Sequence, residues 1–280
     1  MRTMEILDLK RKALEIRMGA ITLVHQSKGH IGGTMSSADI IAALFYRFMR
    51  FDPKKPDMPD RDRFILSKGH TSEGYYWALA DLGFYDPEEL ENFTKFRSIY
   101  QSHPSNDVNG IELSTGALGH GLSLACGVAL SSKLTGIPFR TYVLLGDGET
   151  DEGSIWEGAM LASARKLDNL FVFIDRNGMQ ISGSTEMVLP LEPYRDKWEA
   201  FGFDTIEVDG NDMEALCRVI GSQLENRNGK PKAFICRTQK GRGVSFMEGN
   251  KKWHHGSLNQ EQYEQAMEDL KKEMEALKDG

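Results

Sequence analysis

Residues 141–178, TYVLLGDGETDEGSIWEGAMLASARKLDNLFVFIDRNG, hold two short apolar runs, 141–145 and 170–174, with helical periodicity over 155–166 between them. Strand, helix and strand at this spacing predict a β-α-β unit, with parallel strands and a right-handed crossover. Both strands then end at the same sheet edge, where open α/β sheets gather their ligands. Gly146-Asp147-Gly148 follows the first run and Asn177 the second. Two side-chain oxygens therefore meet at that edge, and Met179 can add a backbone carbonyl. Carboxylate, amide and carbonyl oxygens suit a hard divalent cation that takes its other ligands from phosphate or water. Gly146 and Gly148 let the backbone approach a phosphate. Singly, GDGE also reads as a surface loop and Asp-Arg-Asn-Gly as a hairpin turn. Paired, each after an apolar strand, they favour a metal–diphosphate site. On this reading Glu149 and Asp151 stay solvated.

Working outward, residues 4–26 have apolar positions at helical spacing, and SKGHIGGT (27–34) breaks that helix with three glycines. A second helix is predicted over 37–49, a polar proline-rich loop over 51–62, a strand over 63–67 and a helix over 72–82. Residues 100–121 are irregular and long enough for a functional loop, although a disordered insertion has the same appearance. Residues 122–134 read as a small-residue, apolar, buried helix. Strands over 204–208 and 233–237 flank a helix over 213–224, and a charged helix ends the chain over 259–277. The pattern predicts one doubly wound α/β domain over residues 1–280, its sheet mostly parallel with helices on both faces.

Composition narrows the function. With 40% hydrophobic and 27% charged residues, the 280-residue chain supports a substantial core. Its net charge of -7 argues against a nucleic-acid surface. Cys126, Cys217 and Cys236 have no metal-like spacing and read as small apolar residues of a reducing compartment. No run reaches membrane-spanning length and the first residues contain no apolar signal core, so a cytoplasmic protein is expected. There is no GxxxxGK[ST] loop. GALGHG (116–121) lacks the GxGxxG order and follows no clear strand, which disfavours a nicotinamide enzyme.

Of seven histidines, several sit in loop-like settings: His30 in KGHIGG, His70 in SKGHTS, His103 in QSHPS, and His254 and His255 in WHHG. A lone loop histidine is usually a surface residue. Several together can supply hydrogen bonds and protons around an oxygen-rich substrate near neutral pH. A zinc site competes, but no pair has close ligand spacing.

Taken together, these segments resemble the transketolase family of thiamine diphosphate enzymes. GDG at 146–148, a 28-residue gap and Asn177 match its diphosphate–magnesium signature. SKGHIGG, DRFILSKGH, STGALGHGLS and KGRGVSFME match as well, and the likeness runs over about residues 7–265. The resemblance implies thiamine diphosphate and Mg²⁺, replaceable by Ca²⁺ or Mn²⁺, with Asp147, Asn177 and the Met179 carbonyl as metal ligands. It places Gly146 and Gly148 beside the diphosphate. His70 and His255 fall near the diphosphate and reaction centre, His255 being preferred to His254 because the family motif has His directly before Gly. Gly116 and Leu118 correspond to the loop that contacts the aminopyrimidine, and Ile181 and Lys240 complete the cofactor pocket. A solvated loop lysine is the plain alternative for Lys240. His30 and His103 resemble the residues that bind the first hydroxyls of the sugar. His120 departs from the family, where glutamine is common. Glu152 and Glu157 match family positions at the subunit contact, and an acid-rich first helical turn is their plainer reading.

Length is the larger departure. A full transketolase has two further domains, which supply the glutamate that protonates the pyrimidine ring and an aromatic residue that stacks on it. The chain resembles the N-terminal subunit of a split transketolase. The resemblance therefore implies a separate C-terminal subunit, an α₂β₂ assembly, and two-carbon ketol transfer from a ketose phosphate, branched sugar phosphate or sulfo-sugar to an aldose. The alternatives are a 2-oxoacid dehydrogenase or deoxyxylulose-phosphate synthase subunit, or a non-catalytic regulatory subunit. SKGH and STGALGHG favour transketolase over the dehydrogenase, and a scaffold would need neither Asp147 and Asn177 nor the histidines.

Overall fold

The structure, a computed structural model, describes residues 4–277. Strands β1 (Arg63–Leu66), β2 (Thr141–Gly146) and β3 (Leu170–Arg176) are followed by a two-stranded hairpin, β4 (Met179–Gln180) and β5 (Gly183–Ser184), and then by β6 (Asp204–Asp209) and β7 (Lys232–Arg237). The hairpin stands apart. The other five form one parallel sheet in the order β1-β2-β3-β7-β6. The expected β-α-β unit is β2, a helix and β3, and its register sets Gly146 opposite Asp175.

The helices are α1 (Ile6–Gln26), α2 (Ile31–Ala43), α3 (Ser72–Asp81), α4 (Gly121–Thr135), α5 (Gly153–Ala164), the short α6 (Thr185–Val188), α7 (Tyr194–Ala200), α8 (Met213–Gln223) and α9 (Gln260–Ala276). Alternate strand residues face opposite ways. Leu66, Tyr142, Leu144, Phe173 and Phe234 pack in one core with residues of α1, α2, α3 and α8. Ile65, Val143, Leu145, Val172 and Ile235 pack in a second with α4, α5 and α7. Both faces of the sheet are thus covered. A third cluster docks α9 on α1 through Leu14, Ile21, Ala266 and Leu270. Asn259 and Gln262 close a capping box at the start of α9. No helix among the described residues is long and apolar enough to cross a membrane.

Two helices differ from the sequence reading. SKGHIGGT does end α1, at Gln26, as expected, but the break is confined to Ser27–His30. Gly32 and Gly33 lie inside α2, which starts at Ile31 rather than at residue 37, and all of its residues are buried. Glycine in a helix costs about 1 kcal/mol relative to alanine, but here it permits close approach. A Cβ on Gly32 would lie 2.6 Å from the Trp253 carbonyl oxygen, and one on Gly33 would lie 2.8 Å from Thr71 Cγ2. Helix α4, expected to be buried, packs only one face. Leu124 and Leu134 on it are 39% and 78% exposed, and Met160 and Leu161 on neighbouring α5 are 56% and 40% exposed.

The 100–121 segment has no helix or strand before Gly121, yet it is tied to the sheet and to α3. Thr115 Oγ1 donates to the Leu66 carbonyl at 2.7 Å and the Tyr76 hydroxyl to the His103 carbonyl at 3.1 Å. At the far end of the chain, Gly29 and Gly256 exchange two backbone hydrogen bonds of 2.9 Å. That bridge carries the WHHG segment across to the start of α2.

Candidate functional site

Beyond the carboxyl ends of β1, β2 and β3 lies a cavity of about 430 Å³, a volume typical of cofactor sites. A larger open cleft of about 660 Å³ runs between Phe246, Trp253 and α9, but no comparable set of charged groups converges there.

Asp147 follows β2 and is buried. Gly178 N donates to its Oδ2 at 2.6 Å and Gly148 N to its Oδ1 at 2.9 Å. The residue after Asn177 thus touches the Asp147 carboxylate, so the β-α-β unit brings the two motifs into contact. The Asn177 amide donates to Asp175 Oδ2 at 2.8 Å, and its Oδ1 accepts from Met179 N at 3.1 Å. Burial, reinforced by the Asp175 charge, pushes the Asp147 carboxyl up to about 6, against the pull of the Gly178 amide and of Arg176. Arg176 Nη1 lies 3.2 Å from Asp147 Oδ2 and also donates to Thr185, while Nη2 meets Glu186 and Glu192.

Asp147, Asn177 and Met179 all line the cavity. Among the described residues no group of three or more His, Cys, Asp or Glu could hold a metal ion. A cation here would use the hard set of one carboxylate, one amide and one carbonyl, leaving positions for phosphate and water. Three cavity-lining residues also present buried atoms that no protein group satisfies, His30 Nδ1, Asp151 Oδ1 and Gln180 Oε1. Buried polar atoms are normally paired, so all three favour a polar occupant. Gly148 passes close to Gln180, whose Cβ would lie 2.9 Å from an added Cβ. The residues present fit a divalent cation with thiamine diphosphate.

Five histidines converge. The His30 ring is 5.0 Å from His70, 6.0 Å from His103, 5.5 Å from His254 and 4.5 Å from His255. His254 lines the cavity, whereas His255, which the family motif favoured, is exposed at the rim. His254 Nδ1 meets Lys240 Nζ at 3.0 Å, and that ammonium lies 3.4 Å from the Met179 carbonyl. Lys240 is buried, not solvated; burial and the Lys68 charge lower it to about 8. Gly116, Leu118, Gly146 and Ile181 also line the cavity, Ile181 as a 73% exposed lip. Gly116 has φ +146°, and an added Cβ would lie 2.6 Å from the His103 ring, so only glycine fits there.

Burial first, then the charges of His255, His103 and Lys240, push His30 down to about 4. His254 falls to about 3 for similar reasons, and His70 well below its ordinary value. At neutral pH these rings are uncharged, and each can donate one hydrogen bond and accept another. An unfolded histidine binds its proton near pH 6.5, whereas folded His30 does so near 4. Its contribution to stability is therefore intact above pH 6.5 and is lost as the pH falls toward 4. Buried Asp147, Glu73 and Glu149, with raised carboxyls, act in the opposite sense. Between pH 6.5 and 4, His30→Gln is expected to lose stability less steeply than the parent, by at most about 1.4 kcal/mol per pH unit. Denaturant titrations across that range give both slopes, and equal slopes would contradict the assignment.

Several site residues were not foreseen. Lys68, in SKGH, is buried and ion-paired with fully buried Asp175. Lys68 Nζ also donates to the Gly33 carbonyl at 2.9 Å, and Asp175 accepts from Ser36 and Thr238. The available signal was an aspartate closing an apolar strand, FID, beside a lysine just past another. Glu73 accepts from His30 N at 2.8 Å and from the Thr34 hydroxyl at 2.8 Å, fixing the turn that carries His30. Glu149, expected to be solvated, is 3% exposed. Asp151 is half-buried. The turn after β2 folds Glu149 inward because backbone amides need its oxygens.

Comparison with known proteins agrees with this geometry. The family model for the transketolase thiamine diphosphate binding domain matches residues 9–276. The chain is 45% identical over 275 residues to an apulose-4-phosphate transketolase subunit of Phocaeicola vulgatus, covering 98% of each. It is 40% identical over 271 residues to the 6-deoxy-6-sulfo-D-fructose transketolase subunit SqwG of a Clostridium species, covering 95% of this chain and 98% of that one. The crystal structure of Campylobacter jejuni transketolase superposes with a TM-score of 0.86 at 29% identity, over 95% of this chain and 42% of that one. The chain thus spans about two fifths of the length of that solved transketolase. Every cavity-lining residue falls inside the matched segment, and the chain belongs to the transketolase family through its thiamine diphosphate-binding domain.

Proposed function

We propose that this chain is the N-terminal subunit of a split, Mg²⁺-dependent transketolase, working in an α₂β₂ complex with a chain that carries the pyrimidine-binding and C-terminal domains. Its reaction moves a two-carbon ketol unit from a ketose bearing a terminal anion to an aldose. The observation that carries this reading is coverage. Relatives named as transketolase subunits match end to end, while the solved transketolase is more than twice as long. The exposed Leu124, Met160 and Leu161 on adjoining helices support a partner. The sugars in the relatives' names, one a phosphate and one a sulfonate, support an anionic ketose.

Asp147, Asn177 and the Met179 carbonyl would hold the cation, and Lys68 and Lys240 would face the diphosphate. When bound, thiamine diphosphate supplies the electron sink for carbon–carbon cleavage. The uncharged His30 and His103 would orient the sugar's first hydroxyls by donating and accepting hydrogen bonds. His70 and His254, on the same wall and also uncharged, would add further hydrogen-bond donors and acceptors around the cofactor and sugar.

The test is reconstitution. The chain, co-expressed with its candidate partner, is supplied with thiamine diphosphate, Mg²⁺ and either a ketose phosphate or a sulfofructose. Ketol transfer is expected only when both chains are present. Robust turnover by this chain alone would overturn the split-site reading. Turnover of pyruvate or another 2-oxoacid without ketol transfer would overturn the transketolase reading.

A further inference from the structure

The two loops that flank the cavity meet at one buried side chain outside the metal set and the histidine cluster. Glu149 Oε2 accepts from Gly146 N at 3.0 Å, at the head of the GDG turn. Its Oε1 accepts from Gly119 N at 2.9 Å, in GALGHG, and from the Ser67 hydroxyl at the end of β1. Three chain segments thus converge on one carboxylate, and all three partners are donors. Burial pushes this carboxyl up, and the three donors, helped by the Lys68 charge, pull it back.

The cavity-facing part of GALGHG is pinned at two ends. Before it, Thr115 N donates to the Pro104 carbonyl at 3.2 Å and Thr115 Oγ1 to the Leu66 carbonyl. After it, Gly119 N is held by Glu149 and Gly119 O accepts from Ser154 Oγ at 2.9 Å. Gly116 and Leu118, between the pins, line the cavity, while Ala117 and Leu118 are exposed. Gly119 is buried against the turn, where an added Cβ would lie 2.7 Å from Glu152 Cβ.

We propose that Glu149 is a positioning residue that fixes the GALGHG loop in register with the GDG turn, so that one bound cofactor meets both at once. This rests on the thiamine diphosphate reading, in which GDG serves the diphosphate end and Gly116–Leu118 the ring end. Without the clamp, binding would have to order the loop, and that cost falls on affinity. An ionised carboxylate suits the task because it only accepts hydrogen bonds.

Glu149→Gln tests this with nearly unchanged shape. Its amide NH₂ must face either Gly146 N–H or the Gly119 and Ser67 donors, leaving a buried donor unpaired. In the reconstituted complex, the half-saturating thiamine diphosphate concentration is expected to rise about tenfold or more. The kcat at saturating cofactor is expected to stay within about twofold, as for a cost confined to binding. Hydrogen–deuterium exchange of the same complex before cofactor is added should show faster exchange over residues 116–121. Ser67→Ala, which removes one donor and leaves both backbone amides paired, is expected to shift both readouts less and in the same direction. If Glu149→Gln does not fold, Ser67→Ala and Ser154→Ala carry the test. Unchanged half-saturation with unchanged exchange would overturn the proposal. So would a fall in kcat at saturation with no change in half-saturation, the mark of a purely structural loss. A parent complex that never saturates with thiamine diphosphate would instead overturn the cofactor reading, and the exchange measurement would still test the clamp.

Discussion

Asp147→Ala is expected to weaken Mg²⁺-dependent binding of thiamine diphosphate by the reconstituted complex by more than about 100-fold, since changes to outer-shell groups alone cost 10–100-fold. Asp147 offers the only carboxylate in the proposed ligand set, and Asn177 and the Met179 carbonyl bring no charge to replace it. The fold is expected to survive, because Arg176 keeps Glu186 at 2.8 Å, Glu192 at 3.3 Å and the Thr185 hydroxyl. The Gly148 and Gly178 amides lose their acceptor, at about 1 kcal/mol each. Asp147→Asn separates shape from charge. It keeps one acceptor oxygen and most of the packing, yet is expected to bind the cofactor nearly as poorly as the alanine variant. Calorimetric titration of both variants with and without Mg²⁺ reads the effect. Parent-like affinity and Mg²⁺ dependence in Asp147→Ala would remove the metal assignment.

Lys68→Met is expected to lower the unfolding free energy by about 3–5 kcal/mol, the usual cost of stripping one partner from a buried ion pair. Against the 5–15 kcal/mol of a typical domain, that is a large share. Lys68 and Asp175 are 1% and 0% exposed at their side chains, so no water replaces the lost ammonium. Burial by itself would push the Asp175 carboxyl up. The Lys68 charge, with the Thr238 and Ser36 hydroxyls, overcomes that and holds it below its ordinary value. With Lys68 gone, the carboxylate keeps its hydroxyl and amide donors but has lost that cation. Asp175 also orients the Asn177 amide at 2.8 Å, so cofactor affinity should fall along with stability. Adding Asp175→Asn to Lys68→Met removes the unpaired charge and is expected to recover part of the loss. Denaturant unfolding of the three variants measures it. A Lys68→Met chain within about 1 kcal/mol of the parent would show that the pair contributes little.

The sheet, and the placing of Asp147 and Asn177 at its carboxyl edge, were legible in the sequence because their signals are local. Apolar runs of strand length around a helical segment fix β2, α5 and β3, and Asp147 and Asn177 fall where those strands stop. The histidines were legible as loop residues, and the family resemblance placed four of them at one site; that they pack around His30, with His254 rather than His255 lining the cavity, was not legible, since His30 and His254 come from opposite ends of the chain. Lys68, Asp175 and Glu149 escaped for a different reason. A charged residue in a turn or at a strand end reads as solvated by default, and only the assembled fold shows which donors enclose it. The end of α1 was legible, but the start of α2 was placed too late because Gly32 and Gly33 read as part of the break. In this chain Gly32 and Gly33 instead let Trp253 and Thr71 come close. Helix α4 misled because apolar, small-residue composition does not say whether the second face is covered by this chain or left open.

The pairing of Gly29 with Gly256 has a consequence for the order in which the protein is made. Every strand of the sheet has been synthesised once Arg237 leaves the ribosome, and the carboxyl ends of β1, β2 and β3 are then available to assemble. His254 and the bridge that seats it beside His30 come later still. A nascent chain can therefore complete its sheet while the histidine wall stays open, and the pocket is completed after the sheet and before α9.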